Sequence, residues 1–144
     1  MQSAEEIINN LNLKPHPEGG HYHETYLDPE RFNQDRKLCS IIYYLLKFDE
    51  VSHWHRVDAT ECWFWHAGAP IALSVSIDNF ETNTVDLGPE LKLNQKLHFV
   101  VPKNCWQMAV SLGKWSLVSC LVTPSFQFSG FELAPDNWNP SPEK

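Results

Sequence analysis

The sequence is poor in positive charge, in long apolar runs and in paired cysteines, and each shortage removes a class of protein. Its 144 residues include only 11 Lys and Arg, spread without a cluster, and the formal net charge is −7. A general nucleic-acid binder normally presents a basic face, so we expect no nucleic-acid partner. Acidic membrane surfaces attract the same charge, and no apolar run approaches the roughly 18 residues that span a bilayer. We therefore expect no membrane partner either.

The first residues and the cysteines exclude further classes. The chain has no basic start followed by an apolar segment, which a secretory signal would require. The four cysteines lie far apart without a CxxC pair, and this excludes zinc-ribbon and thioredoxin-like proteins. We expect a cytoplasmic protein whose thiols are reduced and buried.

What the sequence does contain predicts one compact domain with a pocket. Hydrophobic residues make up 42% and charged residues 20% of the chain, which suits a single core over residues 1–144. Seven His and six Trp in so small an acidic domain are typical of a ligand pocket. We expect a helix over 1–12, an arm and first strand over 13–27, a barrel over 38–133 and a tail over 134–144.

Short apolar runs with turn residues between them predict an all-β barrel or sandwich. The segment 28–36 is polar and indicates a loop. The expected strands of the body are 39–46, 52–57, 61–66, 71–77, 82–87, 97–101, 106–110, 115–122 and 126–128.

A pair of histidines followed by a glutamate is the sharpest local pattern. Residues two apart on a strand point to the same side, so His53 and His55 are expected to face one interior point. Glu61 begins the next strand and can face them. Two imidazoles and a carboxylate suit a divalent metal such as Fe, Mn, Ni or Zn. The alternative is that both histidines are polar residues lining a wet barrel.

This pattern resembles the first motif of the cupins. The histidine pair, Glu61 and Gly68 match that motif with one extra residue before the glutamate, and Gln107 stands where the second motif carries its histidine. The resemblance implies a single-domain all-β jelly-roll barrel, a double-stranded β-helix, with a short N-terminal helix. It implies a metal held by His53, His55, Glu61 and Gln107, although an amide oxygen is a weaker ligand than imidazole.

A second segment narrows the resemblance. Residues 16–26, HPEGGHYHETY, are similar to the HPEGGYYRETY signature of a small cupin family of predicted sugar epimerases, with His21 and His23 in place of Tyr and Arg. That family implies a sugar-like small-molecule ligand and a homodimer that exchanges strands. By alternation Tyr22 and Glu24 share the pocket face. The alternative is an interface strand with Glu24 in a salt bridge.

The resemblance to cupin epimerases also implies roles in proton transfer next to a carbonyl group. His55 or His53 would be the base, and Glu61 would orient it. Tyr22 or Tyr44 would supply or receive the second proton. The expected catalytic set is His55, His53, Glu61 and Tyr22.

The residues expected to bind substrate are Glu24, Arg56, Tyr44, Trp63 and Trp65. Arg56 is the cation that the motif places near the site. Trp63 and Trp65 are in phase with Glu61, so they are either core residues or platforms on which a sugar stacks.

Two other functions remain open from the sequence. A metal-dependent cupin oxygenase would need a tightly bound metal at the four expected ligands. A non-catalytic cupin would bind a small molecule without turnover.

Overall fold

The computed structural model describes residues 2–141, which form one α-helix and thirteen strands. The helix α1 spans Ala4–Asn10. The strands are β1 (Lys14–Pro15), β2 (His21–Leu27), β3 (Arg31–Asn33), β4 (Arg36–Lys37), β5 (Ser40–Lys47), β6 (Val51–Val57), β7 (Thr60–Gly68), β8 (Ile71–Ser76), β9 (Asn83–Leu87), β10 (His98–Val101), β11 (Trp106–Ser111), β12 (Trp115–Thr123) and β13 (Phe131–Leu133). Two short 3-10 helices, Leu91–Leu93 and Phe128–Gly130, lie in loops.

The helix α1 begins where the sequence provides a cap. The Ser3 side chain accepts the Glu6 amide, and the Glu6 side chain accepts the Ser3 amide, so both first-turn donors are satisfied. Ile7 is buried beside Leu45 and Trp115 on the outer side of a sheet. The helix therefore covers part of the barrel wall. None of the helices formed by residues 2–141 has the length and apolar content to cross a bilayer.

Two antiparallel sheets form the body. One has the strand order β1-β2-β5-β12-β7-β10 and the other β13-β6-β11-β8-β9. The largest core cluster joins residues of both sheets, among them Tyr44, Leu46 and Trp63 from the first and Leu73 and Ala109 from the second. Inward-facing residues of the two sheets thus fill one interior, and the predicted all-β jelly-roll barrel is confirmed.

One strand departs from regular alternation. Gln107 of β11 pairs with His55, but Ala109 pairs with Ser52. Between these two pairs β11 advances by two residues and β6 by three. This is a β-bulge, which re-aims side chains by inserting an extra residue. It turns Ser52, rather than His53, to the same interior side as His55. The His53 amide instead donates to the Glu18 carbonyl at 2.8 Å.

Most predicted strands of the body lie within one or two residues of the observed ones, and two local expectations are wrong. The segment 28–36 forms most of a small hairpin, β3–β4, rather than a plain loop. Residues 126–128 run into a 3-10 turn, and the last strand comes later as β13. In the tail, Trp138 packs on Trp106 with ring centroids 4.5 Å apart. The last three residues of the predicted tail, 142–144, lie outside the described residues.

Candidate active site

A pocket of about 370 Å³ opens at one end of the barrel. Its residues come from four parts of the chain, namely the turn before β2, the strands β2 and β5, the β6–β7 hairpin, and β12 with the segment after it. The lining residues are His16, Glu18, Tyr22, Glu24, Ser40, Ile42, His55, Val57, Glu61, Cys120, Val122, Phe126, Gln127 and Phe128.

His55 lies deep in this pocket, with 1% of its surface exposed. Its Nδ1 lies 2.8 Å from the carbonyl oxygen of His53. A carbonyl can only accept, so Nδ1 carries the proton and Nε2 of the neutral ring carries the lone pair. Burial lowers the pKa of His55, partly opposed by the charge of Glu61. The ring is therefore neutral at pH 7 and able to accept a proton at Nε2.

Glu61 is held by a chain of hydrogen bonds from the core. The Gln107 amide nitrogen donates to Glu61 Oε1 at 2.8 Å, and the Trp63 indole nitrogen donates to the Gln107 amide oxygen at 2.7 Å. These bonds fix the orientation of Gln107 and place a carboxyl at the pocket wall. Burial raises the pKa of Glu61 from 4.5 to about 7.

The turn between β1 and β2 brings a second acid–base pair to the site. The Glu18 side chain is 9% exposed; its Oε1 lies 3.3 Å from His16 Nδ1 and its Oε2 3.5 Å from His55 Nδ1. The Ser52 hydroxyl donates to Glu18 Oε2. Burial raises the pKa of Glu18 from 4.5 to about 8. It lowers the pKa of His16 from 6.5 to about 4, helped by the proximity of His55.

The buried acid–base groups of the pocket therefore carry little net charge at pH 7. Both histidines are uncharged, Glu18 is protonated and Glu61 titrates near 7. Among the residues that the structure describes, no Lys or Arg lines the pocket. Burial also raises the pKa of Cys120 well above its usual value, so this thiol is not a thiolate nucleophile.

Aromatic rings form one wall. Phe126 and Phe128 line the pocket, and the Phe131 ring centroid lies 5.5 Å from that of His55. The β3–β4 hairpin holds this segment, because Arg36 Nε donates to the Ser125 carbonyl at 2.6 Å. The wall presents apolar faces next to the buried acid–base groups, an arrangement that suits a small amphipathic ligand.

The structure brings together several residues that the sequence singled out. His55, Glu61, Tyr22 and Glu24 all line the pocket. Tyr44 lies behind them, 1% exposed, and its hydroxyl donates to the Gly19 carbonyl. Tyr44 thus supports the turn rather than facing the ligand space.

His53 and Arg56 lie outside the pocket, and the expectation that they face it is corrected. The bulge in β6 turns His53 away, and its Nε2 lies 2.9 Å from the Pro135 carbonyl oxygen. Arg56 lies on the outer side of β6, where it donates to Glu132 and stacks 4.6 Å above the Trp106 ring.

The two tryptophans of β7 face the interior but do not line the pocket. Trp63 is 1% exposed and belongs to the main core cluster. Trp65 packs against the same cluster, and its indole nitrogen donates to the Ala69 carbonyl at 3.0 Å. Of the two interpretations, core residue or platform for a sugar, these positions match the core residue.

The expected metal ligands do not assemble. His53 points elsewhere, and the Gln107 amide is fully engaged between Glu61 and Trp63. Only His55 and Glu61 of the four remain, and among residues 2–141 no three His, Cys, Asp or Glu side chains are grouped to hold a metal ion. The residues present do not fit the divalent metal that the pattern suggested.

Three residues of the site were missed at the level of sequence: His16, Glu18 and Ser52. The first two stand in the His-Pro-Glu-Gly-Gly segment, whose proline and glycines mark a fixed turn, and that was the available signal. Nothing in the sequence indicates Ser52, because its inward direction depends on the bulge.

The comparisons with known proteins agree with this architecture. A family model described as "Cupin superfamily (DUF985)" matches residues 5–134. A crystal structure of a protein from Shewanella oneidensis is similar at 39% identity, with a TM-score of 0.90, over 93% of this chain and 85% of that one. A hypothetical protein from Leishmania major is similar at 30% identity, with a TM-score of 0.85, over 92% and 88%.

More distant likeness shows the fold alone. An oxalate decarboxylase of Bacillus subtilis is similar at 11% identity, with a TM-score of 0.63, over 83% of this chain and 29% of that one. No curated protein matches the chain.

Proposed function

This chain belongs to the DUF985 family of the cupin superfamily, and from that premise we propose that it catalyses proton transfer at a carbon next to a carbonyl group. The substrate would be a small, uncharged, sugar-like molecule, and the reaction an epimerisation or isomerisation. One observation carries the proposal, namely the neutral His55 beside the titrating Glu61 in a pocket with an aromatic wall.

His55 is the proposed base. Its Nδ1–H is held by the His53 carbonyl, so Nε2 presents the lone pair. The substrate C–H bond breaks, its proton passes to Nε2, and the electron pair moves through the new carbon–carbon double bond onto the carbonyl oxygen. General base catalysis of this kind contributes about 10²–10⁴-fold.

Between Glu61 and Tyr22, Glu61 is the better candidate for the second proton transfer. A carboxyl with a pKa of about 7 holds its proton in about half of the molecules at neutral pH, and it can give a proton as readily as it takes one. Returning the proton to the opposite face of the carbon gives an epimer. Returning it to the former carbonyl carbon gives an isomer, provided that a proton also moves from the neighbouring hydroxyl to the former carbonyl oxygen. Tyr22 also lines the pocket and is the alternative donor.

Size and charge favour a small neutral substrate. The volume of about 370 Å³ lies near the lower end of the roughly 300–1,000 Å³ typical of ligand pockets. Without a lining Lys or Arg, a phosphate group would lose its water without gaining a cation. The uncharged form of a hydroxy aldehyde or hydroxy ketone meets no such penalty.

The metal-dependent oxygenase has no comparable support, because two of its four expected ligands are committed elsewhere. A cupin that binds without turnover is the outcome to be distinguished by experiment.

Exchange of substrate hydrogen with solvent tests the proposal. In D₂O, proton NMR would follow deuterium uptake at the α-carbon of dihydroxyacetone, glyceraldehyde and the free hexoses. We expect uptake with the wild-type protein and a loss of at least roughly 10²-fold in His55→Gln. The matched control is His53→Gln, two residues away on the same strand but outside the pocket.

Equal losses in the two variants, or none in His55→Gln, would contradict the assignment of the base. Binding of these compounds without any uptake by the wild-type protein would establish a binding barrel instead.

A further inference from the structure

The two histidines of the pocket are held in opposite tautomers. The His16 amide donates to the Gly20 carbonyl at 2.9 Å, and the Gly19 amide donates to the His16 carbonyl at 3.0 Å, so the turn holds this residue at both backbone groups. The Glu18 amide donates to His16 Nδ1 at 3.1 Å. An amide N–H can only donate, so Nδ1 carries the lone pair and the proton of the neutral ring lies on Nε2.

His55 is arranged the other way round. Its Nδ1 faces a carbonyl oxygen, which can only accept, so the proton lies on Nδ1 and the lone pair on Nε2. The same ring nitrogen, Nε2, is therefore a hydrogen-bond donor in His16 and an acceptor in His55. In each case a backbone group sets the tautomer.

Glu18 lies between the two Nδ1 atoms and supports both tautomers. Its Oε1 is 3.3 Å from His16 Nδ1, which carries a lone pair, and its Oε2 is 3.5 Å from His55 Nδ1, which carries a proton. A protonated carboxyl has one oxygen that donates and one that accepts. With its O–H on Oε1 and Ser52 donating to Oε2, a protonated Glu18 is compatible with both tautomers, which the backbone groups set.

Both Nε2 atoms are left for a ligand. In the part of the chain that the structure describes, neither has a hydrogen-bond partner, and neither is among the polar atoms buried without one. Both rings line the same pocket. The pocket therefore offers one N–H and one lone pair, each from an uncharged imidazole.

We propose that His16 donates its Nε2–H to the carbonyl oxygen of the bound molecule while His55 accepts the proton from the adjacent carbon. The electron pair released from the C–H bond gathers on that oxygen, where the hydrogen bond from His16 stabilises it. A neutral imidazole is a recognised donor of this kind. The role of His55 rests on the proposed function, whereas the contact from His16 requires only that a carbonyl compound bind.

Nitrogen-15 NMR of the histidine side chains tests the tautomers without any turnover. At pH 7 we expect His16 to be protonated at Nε2 and His55 at Nδ1. Addition of dihydroxyacetone is expected to shift the His16 Nε2–H resonance. The same tautomer in both rings would overturn the proposal.

Two substitutions of His16 separate its two nitrogens. In His16→Asn the side-chain oxygen can replace Nδ1 as acceptor for the Glu18 amide, but no donor reaches the pocket. In His16→Gln the amide nitrogen replaces Nε2 and the donor is kept. We expect deuterium uptake to fall roughly 10²–10³-fold in His16→Asn, as when one oxyanion donor is removed. We expect it to fall less than about tenfold in His16→Gln, with both proteins folded by circular dichroism.

The outcomes distinguish this inference from the proposed function. If His55→Gln abolishes uptake and His16→Asn does not, the role of His16 is wrong and the proposed function stands. If no protein shows uptake but dihydroxyacetone shifts the His16 resonance, the proposed function fails and the contact stands. If the wild-type protein shows neither deuterium uptake nor a shift of the His16 resonance, both the proposed function and the role of His16 are wrong.

Discussion

The Glu18 carboxyl makes the stability of the fold depend on pH. Burial raises its pKa from 4.5 to about 8 and that of Glu61 from 4.5 to about 7. Above pH 4.5 the unfolded chain has released protons that the folded chain still holds, so stability falls as the pH rises towards these values. Below pH 6.5 the lowered pKa values of His16 and His55 act in the opposite direction, because the unfolded chain then binds protons that the folded chain does not. The net fall is therefore expected between about pH 6.5 and 8.

Glu18→Gln should remove most of this fall. An amide keeps one donor and one acceptor where the protonated carboxyl has them, and it does not ionise. Urea unfolding at several pH values should show the wild-type protein losing on the order of 1–2 kcal/mol between pH 6.5 and 8. Glu132→Gln, at an exposed carboxyl paired with Arg56, is the control and should keep the wild-type profile. An unchanged profile in Glu18→Gln would show that Glu18 is already ionised at neutral pH.

At the scale of elements, the bulge in β6 and the turn before β2 depend on each other. The bulge releases the His53 amide from its ladder, and the Glu18 carbonyl accepts it. The same junction brings the backbone of Gly19 against the Val51 carbonyl. Alternation correctly placed Tyr22 and Glu24 of β2 at the pocket, and it failed for His53 because a bulge shifts the phase of every residue before it.

Gly19→Ala should disrupt this junction. The backbone φ at Gly19 is +110°, and an added methyl group would overlap the Val51 carbonyl oxygen, a backbone atom that cannot move alone. We expect a loss of more than about 2 kcal/mol in the free energy of unfolding, measured in urea. In Gly88→Ala the nearest atom is the flexible Gln95 side-chain amide, and a smaller loss is expected. A loss in Gly19→Ala no larger than that in Gly88→Ala would show that the turn shifts to accommodate the methyl group.

At the scale of the whole molecule, the chain is acidic while the buried acid–base groups of its pocket are nearly neutral. The formal net charge is −7, yet the buried lining groups His16, Glu18 and Glu61 are uncharged or titrate near 7. The field of the molecule opposes the entry of anions, and no Lys or Arg of residues 2–141 lines the pocket to offset it.

Binding should therefore depend on ligand charge. In thermal unfolding, dihydroxyacetone at saturating concentration should raise the Tm by about 2–4 °C for each kcal/mol that its binding adds to the free energy of unfolding. Dihydroxyacetone phosphate, the same molecule with a charged group, is the matched comparison and should leave the Tm unchanged at equal concentration. Stronger stabilisation by the phosphate would show that a cation reaches the ligand.

The expected homodimer stays a prediction. β2 pairs with β5 of its own chain, and within residues 2–141 its far edge is covered only by the two residues of β1. Residues 23–27 are exposed along this strand, so its edge is open to pairing.

The sequence by itself determined the class of the fold and half of the site. Period-two runs such as 40–46 and 115–122 specify strands because their apolar side must be buried, wherever their partners lie. The capped helix α1 and the turn at 16–20 are likewise local, since their hydrogen bonds join residues close in the chain. Alternation along the strands and the local motifs likewise led to the four predicted residues that line the pocket, His55, Glu61, Tyr22 and Glu24.

Only the tertiary structure decided the rest. The bulge in β6 arises from register against β11 and from the turn that occupies its freed amide, and neither is encoded within β6. This offset of one residue turns Ser52 inward in place of His53, which was one of the expected metal ligands. Burial then shifted the pKa values of Glu18 and Glu61, because desolvation depends on what surrounds a carboxyl in space. The chemistry of the pocket is therefore a property of the packed barrel.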